Sequence, residues 1–227
     1  KKQKQMKKLD EIIIEIARES THCGIRRLSL CNDMNPSLEI VEKIAKAYEP
    51  KFIMSPKAKE MYEDIMRYFM GDTEFKGDLN KGILLMGSIG SGKTLAMKVM
   101  KKLSELCPIP YYKNGRAIEM KFDILSVHEI VKLFMAKGFE GIKPYENRYM
   151  LCLDDIGAEA ASVKYYGNEI DIIGSLLTSR CKDGLLTFAT TNFPEKILEE
   201  KYDDQVVSRM HQMFNFLTIR EKDFRRG

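Results

Sequence analysis

The chain has 227 residues, 44% of them hydrophobic and 31% charged, with a net charge of +4. That is room for one domain of ordinary size with an appendage and a core to match, and a charge too mild to argue for nucleic acid. No run of 18 apolar residues occurs, which excludes a membrane-spanning helix. The lysine-rich start has no apolar signal stretch, so a cytoplasmic protein is expected.

Residues 1–8 carry five lysines and read as a solvated basic tail. A short helix is predicted over 9–19, with Ile12, Ile13, Ile16 and Ala17 on one face, then irregular chain to residue 34. A second helix is predicted from Asn35 as N-cap and Pro36 at its first position, with Leu38, Val41, Ala45 and Tyr48 in line. A third opens at Ser55-Pro56, carries Ala58, Met61, Tyr62, Ile65, Met66 and Phe69, and ends before Gly71. This Met/aromatic stripe is read as core. Residues 71–81 form a polar loop.

Ile83-Leu84-Leu85-Met86 is a buried strand, and Gly87-Ser88-Ile89-Gly90-Ser91-Gly92-Lys93-Thr94 follows it. This is a complete G-x-x-x-x-G-K-[ST] phosphate loop. A helical pattern through Leu95, Ala96, Val99, Leu103 and Leu106 comes next, stopped by Pro108. The glycines let backbone N–H groups cradle phosphates, and the helix N-terminus adds about half a positive charge. Lys93 brings a full charge, and the Thr94 hydroxyl is placed for Mg²⁺.

Beyond this unit, strands and helices alternate. Ile118, Met120 and Phe122 alternate with charged residues and predict a strand. Ser126 and Glu129 form a capping box for a helix through Val127, Ile130, Val131 and Phe134, closed by Gly138. Tyr149 to Leu153 is a buried strand that delivers Asp154-Asp155 to its end. A helix is predicted around 168–182, a strand from Leu185 to Thr191, a short helix around 203–213 and a last strand from Phe214 to Ile219. Five strands alternating with helices predict an α/β fold with a mostly parallel sheet covered on both faces.

The carboxyl ends of such strands are where ligands bind. Asp154 is the candidate Mg²⁺ ligand beside Thr94, directly or through water. Asp155 is the candidate base that orients water against the γ-phosphate. Asn192, after Thr190-Thr191, is a candidate contact to that water or phosphate. A plain turn remains the alternative reading of both the Asp-Asp pair and the Thr-Asn exit. The five cysteines hold no C-x-x-C pair and the three histidines are widely spaced, so neither a disulfide frame nor a zinc site is expected.

These pieces in this order resemble the AAA+ ATPases, and more narrowly the bacterial replicative helicase loaders and the related transposition-regulator ATPases. The residues carrying the likeness are the 87–94 loop, Leu153-Asp154-Asp155-Ile156-Gly157 with Glu159, Asn168-Glu169-Ile170 through Ser179-Arg180, Thr190-Thr191-Asn192, Val207-Ser208-Arg209-Met210 and Asp223-Phe224-Arg225. The likeness covers roughly residues 50–227. It implies a P-loop ATPase domain over 51–227 without a full C-terminal helical lid. Residues 1–50 are then a helical N-terminal region, a candidate for binding a partner. It implies ATP and Mg²⁺ as cofactors, with Gly87 to Thr94, Leu95 and Arg225 contacting the nucleotide. It also implies that Asn192 acts as a sensor and that Arg209 is an arginine finger reaching a neighbouring subunit. A homo-oligomer on single-stranded or duplex DNA, with a replicative helicase as partner, follows from the same likeness. Surface cations available for DNA are Lys164, Arg180, Lys182 and the lysine tail. Three rival readings are a transposition regulator coating duplex DNA, a small-molecule kinase and an ATP-gated binding module with negligible turnover. Many AAA+ members carry Glu where this chain has Asp155.

Overall fold

The computed structural model describes residues 37–106, 109–113 and 116–219. The tail, the 9–19 helix, Asn35-Pro36 and Arg225 lie outside them.

Two helices come first, α1 (Leu38–Tyr48) and α2 (Pro56–Met70). The first starts later than the sequence suggested, with Ser37 as N-cap. The second has the predicted bounds. The Ser55 hydroxyl accepts from the Ala58 N–H, and Gly71 ends the helix at φ 67°, a left-handed conformation that glycine adopts without steric cost.

Five strands form one parallel sheet: β1 (Gly82–Met86), β4 (Asp123–Ser126), β5 (Met150–Asp154), β8 (Leu186–Thr191) and β9 (Phe214–Thr218). The spatial order is β4-β5-β8-β1-β9. Placing β8 between β5 and β1 brings the ends of these three strands side by side. Leu85 is in register with Thr190, and Leu153 with Ala189.

Alternation along the strands sends side chains to two cores. Ile83, Leu85, Cys152 and Phe188 face α1, α2 and α3 (Lys93–Leu106). The α2 stripe is core, as predicted: Phe69 stacks on Phe188 with ring centroids 5.3 Å apart, and Phe122 adds a ring 4.8 Å from Phe188. Leu84, Leu151, Leu153 and Ala189 face the opposite core with α4 (Val127–Lys137), α6 (Ile172–Lys182) and α8 (Asp204–Met213). Val41, Ile44 and Ala45 of α1 belong to the first core, so residue 50 falls between two helices of one packed body.

Two expectations are corrected. The sheet strand is not 118–122 but Asp123–Ser126. The alternation at 118–122 is a burial pattern, with Met120 and Phe122 inside, but Arg116–Glu119 (β3) pairs with Pro110–Lys113 (β2) as an antiparallel hairpin. The helix expected from 168 begins at Ile172, capped by Asp171. Asn168–Ile170 (β7) pairs instead with Val163–Tyr165 (β6) through a two-residue turn, with Tyr166 at φ 49° and Gly167 at φ 84°. Both positive φ values match the twist of a tight hairpin. Two further helices, α5 (Phe139–Glu146) and α7 (Glu195–Lys201), stand in segments for which no element was predicted.

Candidate nucleotide site

The phosphate loop leaves β1 and turns inward at Gly90 (φ 79°) and Gly92 (φ 88°), a backbone that a Cβ would strain. Lys93 opens α3 and is almost fully buried. Its ammonium donates to the carbonyls of Gly87 and Ser88 (both 2.9 Å) and to Asn192 Oδ1 (2.7 Å). The ammonium is thereby held beneath the loop rather than swinging in solvent.

The next residue reaches across β8 to the end of β5. Thr94 Oγ1 donates to Asp154 Oδ1 at 2.8 Å, and Thr190 Oγ1 donates to the same oxygen at 2.7 Å. Thr190 Oγ1 in turn accepts from the Asp155 N–H at 2.9 Å. Asp155 takes a left-handed φ of 63°, which Asp tolerates better than most residues. That turn brings its carboxylate to Asn192, whose Nδ2 donates to Asp155 Oδ1 at 2.8 Å. Burial, and then the Asp154 charge beside it, raise the Asp155 carboxyl above the ordinary 3.8.

A cleft of about 480 Å³ opens over these groups. Gly90, Gly92, Lys93, Thr94, Asp155 and Asn192 line one side, with Ile89 and Leu95. The α1–α2 connection supplies the other side through Tyr48, Lys51 and Phe52. The volume suits a small-molecule ligand. The all-oxygen pair of Thr94 and Asp154 fits a hard divalent cation such as Mg²⁺, held together with ligand phosphates and water.

Lys93, Thr94, Asp154, Asp155 and Asn192 therefore converge, as the sequence suggested. Arg209 does not join them. It is exposed on α8 and donates to Gln212 Oε1 at 3.0 Å. Arg180 is corrected outright: it is fully buried and cannot be a surface cation. Its guanidinium donates to Thr187 Oγ1 (2.9 Å) and to the carbonyls of Tyr145 (2.6 Å), Arg148 (2.8 Å) and Leu186 (2.9 Å). Burial pulls it down to about 9, which still leaves it charged at neutral pH. It ties the α5–β5 loop to the start of β8.

Glu159, another residue of the family-like segment, is also structural. It is buried, accepts from the Gly157 N–H at 2.9 Å and from the Tyr202 hydroxyl at 2.5 Å, and pairs with Lys201 at 3.4 Å. The Lys201 ammonium also donates to the carbonyls of Gly157 and Glu159. This clamp fixes the turn that follows Asp155. The residue missed by sequence reasoning is Thr190. Its signal was a hydroxyl near the tip of a fully buried strand, next to a stronger candidate.

No family model matches the chain. A solved putative primosome component from Streptococcus pyogenes serotype M3 superposes over 83% of this chain and 99% of its own, with a TM-score of 0.55 and 20% identity. The DnaC helicase loader superposes over 76% of this chain and 95% of its own, with a TM-score of 0.52 and 21% identity. The likeness is one of fold, a parallel sheet with helices on both faces. The replication initiator DnaA, solved with AMPPCP and single-stranded DNA, shares it over 84% of this chain and 52% of its own (TM-score 0.53, 16% identity). Among curated proteins, the ATP-dependent zinc metalloprotease FTSH 9, chloroplastic/mitochondrial, of Oryza sativa subsp. japonica is 27% identical over 147 residues. That stretch is 61% of this chain and 18% of the relative, so the chain spans less than a fifth of that protein's length. No helix among the described residues is long and apolar enough to cross a membrane.

Proposed function

We propose that the chain binds and hydrolyses ATP with Mg²⁺ and works in DNA replication as an oligomeric helicase loader. The observation that carries this reading is the convergence of Lys93, Thr94, Asp154, Asp155 and Asn192 at the carboxyl edge of the sheet, beneath one cleft.

Each group has a role in phosphoryl transfer. The loop amides and Lys93 bind the β- and γ-phosphates. Thr94 and Asp154 would hold Mg²⁺, which would neutralise charge developing on the phosphates. Asp155 accepts a proton from the attacking water, and its raised affinity for protons suits a base. Asn192 touches both Lys93 and Asp155, so it can sense whether a γ-phosphate lies between them. Tyr48, exposed and lining the same cleft, offers aromatic surface suited to the nucleobase. Arg209 lies exposed outside this set, where a second copy could receive it as an always-charged fork on transition-state charge. The chain ahead of α1 takes the partner-binding role in this reading, with a replicative helicase as partner. The shared fold with a helicase loader and a primosome component supports the replication setting.

The test is ATP binding and turnover in Mg²⁺, with and without single-stranded DNA, using Lys93→Ala as the blank. Binding lost in Lys93→Ala, turnover stimulated by DNA, and DNA affinity that falls steeply with salt are expected. No ATP binding at millimolar nucleotide would overturn the reading.

A further inference from the structure

The short helix α7 and the last turn of α8 bring together three side chains that no role above uses. Glu195 and Glu199 stand one turn apart on α7, hence on one face, and His211 faces them from α8. One ligand atom from each lies within 4.8 Å of the other two. His211 Nε2 is 3.6 Å from the Glu195 carboxylate. The imidazole is not adrift: it stacks on Phe216 of β9 at 5.0 Å and 27°. The three, with Met210 and Phe216, border a crevice of about 10 Å³, the scale of a single water or bare ion.

Metal–ligand bonds of about 2.0–2.1 Å in a tetrahedron separate neighbouring ligand atoms by about 3.3 Å. The Glu195–His211 pair is almost at that spacing. Rotation of the exposed Glu199 about its staggered torsions closes the rest. One imidazole nitrogen with two carboxylate oxygens is a borderline donor set. It suits Zn²⁺ and other first-row divalent ions, whereas Mg²⁺ and Ca²⁺ prefer oxygen alone.

We propose that Glu195, Glu199 and His211 form a surface site for a first-row divalent cation, with water as the fourth ligand. The site would staple α7, which follows the Asn192 exit, to α8, two residues beyond Arg209. Sequence spacing carried no signal for it, because residues 195, 199 and 211 meet only through the packing of α7 on α8. The simpler alternative is a lone Glu195–His211 ion pair with Glu199 solvated. The proposal does not depend on the ATPase reading.

The experiment titrates the full chain with Co²⁺ by visible absorption and with Zn²⁺ by calorimetry, in excess Mg²⁺ to fill hard-cation sites. Each is repeated with Glu199→Gln and His211→Gln. One equivalent bound is expected, without a thiolate-to-cobalt charge-transfer band, and at least about tenfold weaker in either variant. At a hundredfold excess over the parent Kd, Zn²⁺ raises Tm by about 5 °C in the unsubstituted chain and by about half of that or less in the variants. Glu199 is exposed, so its variant tests the site even if His211→Gln fails to fold. Binding unchanged in Glu199→Gln, a thiolate band, or no uptake below millimolar metal would each overturn the proposal.

Discussion

Replacing Arg180 separates a structural reading from a nucleic-acid one. Arg180→Ala removes a buried cation that satisfies three backbone carbonyls and one hydroxyl. Each acceptor left dry costs about 1–3 kcal/mol, reduced where water enters the new cavity. Four such groups plus lost packing, less the relief of no longer burying a charge, give a net loss of about 4 kcal/mol. For a chain of this size, about 2–4 °C per kcal/mol translates that into a Tm lower by about 8–16 °C. Arg180→Lys keeps a charge and three donors but loses the planar fork, so it falls between. The assay is thermal unfolding followed by circular dichroism, with urea unfolding as a check and DNA binding measured below the lowest transition. A Tm within about 1 °C of the parent, with DNA affinity reduced, would refute the structural role and restore Arg180 as a surface contact.

Three further outcomes are expected. Thr190→Val keeps the shape but removes the donor to Asp154 and the acceptor for the Asp155 N–H. Turnover should fall about tenfold with ATP affinity nearly unchanged, as measured by steady-state hydrolysis and nucleotide titration. Asp155→Asn should retain ATP binding, abolish turnover and raise Tm at pH 7. Burial raises the Asp155 carboxyl in the folded state, so protonation favours folding. That stability is fully present below the ordinary 3.8 and is lost as pH rises through the folded value, so the Tm advantage of Asn should vanish at acid pH. Tyr202→Phe removes bonds to buried Glu159 and to the Gly157 N–H, and should cost about 2 kcal/mol in urea unfolding.

The geometry of the candidate site was legible because its signals are local. A strand-length apolar run followed by a glycine-rich loop and a helix fixes the position of Lys93 and Thr94 with no knowledge of the rest. Asp154-Asp155 and Asn192 each end a buried strand, and a parallel sheet sends such ends to one edge. What the sequence hid depends on contacts distant in the chain. Arg180 looked like a surface cation because its acceptors at Tyr145 and Arg148 lie more than 30 residues away. The alternation at 118–122 reported burial faithfully, but the hairpin, not the main sheet, takes up Ile118 and Glu119. The Tyr166-Gly167 turn was overlooked because Tyr rarely adopts positive φ, leaving only the glycine as a cue. Thr190 was passed over since a hydroxyl on a β-branched residue is unremarkable in a strand until its carboxylate partner across the ladder is known.

The central claim, an ATPase site completed by a neighbouring copy, is tested most directly by ATP turnover per molecule against protein concentration, for the unsubstituted chain and for Arg209→Ala. A rate that climbs with concentration and collapses in Arg209→Ala, while ATP binding persists, is predicted. A rate per molecule that stays constant and is indifferent to Arg209 would contradict it and mean a self-contained site.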